Sequence, residues 1–149
     1  MPKSDDQSEG LGRISNMFNR DGGSEPPVGI YVPQAMYDDF VKICAPIKRI
    51  RPDYPFEIKL REPRKRPTEY GGTDASVFAV EGVPTIGFMT DDIKGYDLCY
   101  DEIWHTERDL YNKNIPGYQE HTATVTAIVA LGVANLDKQL SREGLYIKE

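Results

Sequence analysis

The chain has 149 residues, a formal net charge of −6, two cysteines, two histidines and one tryptophan. That length suits one domain, and no apolar run approaches the ~18 residues a membrane helix needs. Cys44 and Cys99 belong to no CxxC pair, which argues against a disulfide framework or a cysteine zinc site, so any metal site must lean on carboxylates.

Residues 1–12 are polar and aperiodic and read as a flexible tail. Met1-Pro2-Lys3-Ser4-Asp5-Asp6 leads into no apolar h-region, so no secretory leader is expected. Arg13–Arg20 has Ile14 and Phe18 on one face and predicts a strand, stopped by the turn sequence Asp21-Gly22-Gly23. After a Ser-Glu-Pro-Pro loop and the apolar stretch Val28–Val32, a helix is expected over 34–47. Its apolar residues Met36, Tyr37, Phe40, Ile43 and Cys44 recur at spacings of three and four. Phe56–Leu60 alternates apolar and polar residues, as a half-exposed strand does.

Residues 48–66 hold eight basic and three acidic residues, a local charge of +5. A nucleic-acid surface is one reading of this cluster. Pro52, Pro55, Pro63 and Pro67 break the stretch, and Tyr54 and Phe56 form no stacking array, which favours a solvated basic loop or strand edge.

Gly71-Gly72-Thr73-Asp74 is a glycine turn with two candidate N-caps, opening a short helix over 75–81 that ends at Gly82. Val83–Met89 predicts a strand buried on both faces. Residues 91–114 form a long polar, aromatic-rich loop, a length that points to function or disorder. From Ile115 to about Leu140 the sequence predicts the longest helix, with Pro116 in its first turn. Its core stripe includes Tyr118, Val125, Val129 and Val133, and Ala123, Ala127, Ala130 and Ala134 suggest a second face packed on a sheet. Strand and helix alternate, so the fold class is α/β.

The residues that could carry chemistry are few. His105, in Trp104-His105-Thr106, is open to reading as a ligand, an acid or base, or a surface histidine. His121, between Glu120 and Thr122, reads as a solvated helix residue. Asp21 ends a predicted strand, where α/β proteins gather ligands, but Asp-Gly is also a good turn. Asp74 needs no role beyond capping.

Taken together, GGTDASVFAVEGVPTIGF, then WHTERD some 17 residues later, then a long Ala/Val-rich helix, resemble the carboxyl-terminal part of the M28-type zinc exopeptidases. The likeness is best to the carboxypeptidase Q-like and related aminopeptidase branches and spans roughly residues 13–140, with 141–149 as a terminal tail. It implies the carboxyl-terminal half of a three-layer α/β/α fold with a mixed sheet. It also implies two zinc ions as cofactor and hydrolysis of terminal peptide bonds as the activity. By the same likeness, Asp21 would be a carboxylate ligand of one zinc and His105 the last ligand of the other. Thr73, Asp74, Thr106 and Asp109 would shape the loops around them. FNRDGG departs from the commoner forms around that carboxylate.

The family also uses a His-x-Asp pair and a Glu-Glu pair for the bridging ligand and the general base, and neither pair occurs here. The resemblance therefore implies a partial peptidase domain, inactive by itself, whose partners are a peptide substrate in the complete enzyme and an amino-terminal half. A module of another class, retaining the fold for interaction or dimerisation, is the alternative.

Overall fold

In the computed structural model, which describes residues 9–147, the protein is a mixed α/β fold built on a three-stranded sheet. Strand β1 (Pro27–Val32) leads through a 3-10 turn (Gln34–Met36) into helix α1 (Tyr37–Ile50), then strand β2 (Glu57–Leu60). Helix α2 (Ala75–Val80), strand β3 (Phe88–Thr90), a single turn α3 (Tyr100–Ile103), a 3-10 turn (Tyr111–Lys113) and helix α4 (Pro116–Ala134) complete it. The strand order is β2-β1-β3, with β1 parallel to β2 and antiparallel to β3.

One face of the sheet carries the core. Ile30 and Val32 of β1 meet Phe40, Ile43 and Ile47 of α1 and Val125, Val129 and Val133 of α4 in one buried cluster. On the opposite face Tyr31, Glu57 and Lys59 are exposed. Helix α4 approaches α1 closely at Gly132, where a Cβ would lie 2.5 Å from Ile43 Cγ2. Only a residue without a side chain allows that crossing.

Several elements differ from expectation. Residues 13–20 form no strand. They run beside 84–86, bonded by Met17 N–H to the Pro84 carbonyl at 2.9 Å. The Asn16 side chain replaces the next ladder rung, accepting from Ile86 N–H at 2.8 Å and donating to the Ile86 carbonyl at 3.3 Å. Pro84, which has no N–H, cannot continue a regular ladder. The expected strand 83–89 is accordingly ordered as β only over Phe88–Thr90, although Val83 and Ile86 are fully buried.

Helix α4 ends at Ala134, short of Leu140, because both the backbone and side-chain amides of Asn135 donate to the Leu131 carbonyl. Ala123, Ala127, Ala130 and Ala134 face solvent instead of the sheet. Residues 9–12 form a helical turn, and the remainder of the expected amino-terminal tail lies outside the described residues. The segment expected as a carboxyl-terminal tail folds back. Leu145 is fully buried in the main core, Tyr146 bridges to Arg64, and the Arg142 guanidinium donates to the carbonyls of Leu11 and Ile14. Residues 148–149 lie outside the described residues.

Candidate functional site

The two residues suggested as metal ligands sit on neighbouring turns. Asp21 stands at the start of a tight turn, its backbone carbonyl accepting from Gly23 N–H at 2.8 Å and its carboxylate accepting from the Asn19 side-chain amide at 2.8 Å. Gly23 has φ 59° and lies against α3: a Cβ there would meet the Tyr100 ring at 3.0 Å and Ile103 at 3.6 Å. Glycine is thus required twice over, by its left-handed backbone and by this packing.

Glu25, which the sequence did not single out, ties the two turns together. Its carboxylate accepts from Tyr100 N–H at 3.3 Å and from the Thr90 hydroxyl at 3.1 Å. The Arg20 side chain straps the same loop from the other side, donating to the Gly23 and Glu25 carbonyls. Burial lowers the pKa of Arg20, and Glu25 opposes that fall. The one hint of these roles in the sequence is their closeness to Asp21.

Helix α3 leads directly into Trp104-His105-Thr106. His105 is exposed and takes a left-handed backbone conformation, φ 56°, which disfavours most side chains. Its ring meets the edge of the Trp104 indole at 4.7 Å between centroids, and Trp104, 56% exposed, stacks on Tyr100. Thr106 closes the turn. Its hydroxyl lies 3.0 Å from both the Glu102 and Ile103 carbonyls and accepts from Arg108 N–H at 3.2 Å. Asp109 donates its backbone N–H to the Thr106 carbonyl and leaves its side chain exposed.

Thr73 and Asp74 take no part in that arrangement. They open α2 beside a different depression, lined by Arg64, Lys65, Thr73 and Thr85. Neither caps α2 with its side chain; the Thr73 carbonyl accepts from Ser76 N–H, and Ser76 Oγ accepts from Gly71 N–H. The expected side-chain N-cap is replaced by this short turn because Asp74 is itself helical, at φ −59° and ψ −28°.

His121 is the clearest correction. It is fully buried, not solvated. Its Nε2 lies 2.8 Å from the Pro27 carbonyl, which requires Nε2 to carry the proton. Nδ1 is buried and has no hydrogen-bond partner among the described residues. Tyr54 stacks on the imidazole at 4.1 Å and 12°, and Arg51 and Lys94 lie over the Tyr54 ring.

Next to it, the Tyr118 hydroxyl donates to Asp92 at 2.6 Å and accepts from Lys94 N–H at 2.8 Å. Desolvation, then the bond to Asp92, push the tyrosine up to about 12. For Asp92, desolvation works upward, but the bonds from Tyr118, Leu98, Tyr96 and Asp97 outweigh it and hold the carboxyl below its usual value. These contacts order the start of the long 91–114 loop over a small second core of Tyr54, Leu98, Ile103 and Tyr118.

Among the described residues no group of three or more His, Cys, Asp or Glu side chains comes together to hold a metal ion. By the resemblance, Asp21 and His105 would each supply one ligand to a different zinc ion, so the donors of this chain alone do not fit a complete centre. Half of the basic cluster of 48–66 has partners within the protein, Lys59 pairing with Glu57. Arg51 pairs with Glu120, Arg64 donates to Thr85, and Arg66 donates to the Val80 carbonyl. Cys44 is buried, its thiol pushed up to about 12 by desolvation, whereas Cys99 is exposed.

No family model matches the chain, and searches of curated proteins and of solved structures return no similar protein.

Proposed function

We propose that this chain is the carboxyl-terminal part of a zinc-dependent exopeptidase that hydrolyses terminal peptide bonds, contributing Asp21 and His105 as metal ligands and remaining inactive by itself. The observation that carries this reading is the docking of the Asp21–Gly23 turn onto α3, the turn that delivers His105, through Gly23 packing and the Glu25 bond to Tyr100. Two potential ligands far apart in sequence are thereby held on adjacent turns, one of them in a backbone conformation that costs energy to keep.

Zinc, when bound, would polarise the substrate carbonyl and activate water. Here Asp21 would help to hold one ion and His105 the other, and Glu25, Thr106 and Arg20 would fix the turns that present them. The exposed Trp104–Tyr100 stack would offer an apolar wall to a terminal side chain. A general base and further ligands would come from another segment.

The test uses Trp104, the only tryptophan, as a reporter beside His105. Zinc titration of the purified chain should give a weak fluorescence change that is lost in His105→Ala and reduced in Asp21→Asn. Aminoacyl nitroanilides should not be turned over until a polypeptide carrying the His-x-Asp and Glu-Glu pairs is added. A zinc response indifferent to His105, or no activity from a complex that demonstrably forms, would refute the reading.

A second reading, an interaction module that keeps the fold without hydrolysis, is favoured by the uncovered sheet face around Tyr31, Glu57 and Lys59. It predicts no turnover under any pairing.

A further inference from the structure

Strand β2 forms one edge of the sheet. Arg61 N–H donates to the Val32 carbonyl, continuing the parallel register that pairs Val32 with Leu60. In such a ladder alternate residues bond to the neighbour. Glu57 and Lys59 therefore direct their main-chain groups toward β1, while Ile58 and Leu60 direct theirs outward. Leu60 is 52% exposed. Beside this edge runs a groove of about 550 Å³ between β2 and α1, lined by Val41, Cys44, Lys48, Phe56, Glu57 and Ile58, with Val41 itself 42% exposed. Among the described residues no strand pairs with these outward groups, and such an edge beside a groove of mixed apolar and charged lining is a template for an added strand.

The charges select which strand. Glu57 and Lys59 share the outer face and form an ion pair at 3.3 Å within one chain. In an antiparallel pair of two β2 strands, one symmetric register places Ile58 opposite the partner's Ile58 as the hydrogen-bonded pair. Glu57 then faces the partner's Lys59 and Lys59 faces the partner's Glu57, in the closer, non-hydrogen-bonded positions. Leu60 falls opposite the partner's Phe56 at the groove. The next symmetric register centres on Lys59 and sets two lysines face to face, which is unfavourable. Pro55 and Pro63 bound the segment and stop the pairing from extending.

We propose that β2 is a self-complementary docking edge whose occupant is the β2 strand of a second copy of this chain, in the antiparallel register centred on Ile58. The outer face of such a dimer is a four-charge ladder of alternating sign, and its inner face closes the two α1 grooves against each other. This proposal does not rest on the peptidase reading and stands or falls separately from it.

Sedimentation equilibrium of the full chain at low salt tests it. The wild-type chain should form a dimer in the micromolar range, about 1–100 µM, as suits a small interface. Lys59→Glu and Glu57→Lys each replace attraction by repulsion at both symmetric positions, and each should weaken self-association about tenfold or more. An equimolar mixture of the two variants should associate as a heterodimer at least as tightly as the wild type. The doubly swapped Glu57→Lys, Lys59→Glu chain should dimerise again. A strictly monomeric wild type, a dimer insensitive to either substitution, or a mixture that stays monomeric would each overturn the proposal. Both substituted positions, Glu57 and Lys59, are exposed, and circular dichroism confirms that each variant keeps its fold.

Discussion

At the level of single residues, His121 reverses the environment its neighbours in sequence suggest. His121 lies among polar residues on a helix, yet among the described residues it is the one buried polar side chain apart from the tyrosines, donating from Nε2 to Pro27 and stacked on Tyr54. Burial lowers its pKa; the bond to Pro27 opposes that fall, and Arg51 adds to it. The native state therefore resists protonation while the unfolded chain titrates near 6.5. Between the lowered native pKa and that value the unfolded state binds more protons. Stability should thus be unaffected well above pH 6.5 and fall as pH drops below it, by at most about 1.4 kcal/mol per pH unit. Urea unfolding between pH 5 and 8 measures this. His121→Phe should flatten the dependence while costing about 1–3 kcal/mol, because the Pro27 carbonyl is left without its donor. His105 is the reverse case: exposed, and held at φ 56°. His105→Gly should stabilise the fold by about 1 kcal/mol in a denaturant midpoint. A loss of stability would mean that the imidazole contributes to the fold itself.

At the level of elements, local pattern and tertiary contact divide the outcome. Helix α1 was legible because its period of 3.6 reflects one buried face, and strand β2 because alternation sets the half-buried Ile58 between the exposed Glu57 and Lys59. Helix α2 and its stop before Gly82 were legible from turn chemistry. The segments 13–20 and 83–89 have apolar residues suited to strands, but Pro84 breaks the ladder between them and Asn16 patches it with a side chain. No periodicity encodes such a pairing across seventy residues. Crossing of α1 and α4 depends on Gly132, whose hydrogen faces Ile43. Gly132→Ala should therefore destabilise by about 1–3 kcal/mol from overpacking, despite a helix-propensity gain of up to about 1 kcal/mol. Ile43→Ala alone should also destabilise. Combined with Gly132→Ala, its cost should be markedly less than the sum, since the added methyl then enters the vacated space. Additive thermal unfolding data would show that the two helices do not meet as described.

For the whole molecule, helices cover one face of the sheet, and a second, smaller core underlies the long 91–114 loop. Amide exchange should show β1, α1 and α4 opening only with global unfolding, and residues 99–114 exchanging earlier. Tyr118→Phe, which removes the hydroxyl joining Asp92 and Lys94, should speed exchange in 92–98 and leave α1 unchanged. The α/β class and the main helices follow from the sequence alone, because amphipathic period and turn residues are local properties of the chain. Which of those residues come together is not local. Gly23 and Glu25 dock one turn on another, His121 is drawn inward by a carbonyl 94 residues away, and Leu145 returns to fill the core. Only the tertiary structure decides these, since each depends on a surface that exists once distant elements have packed.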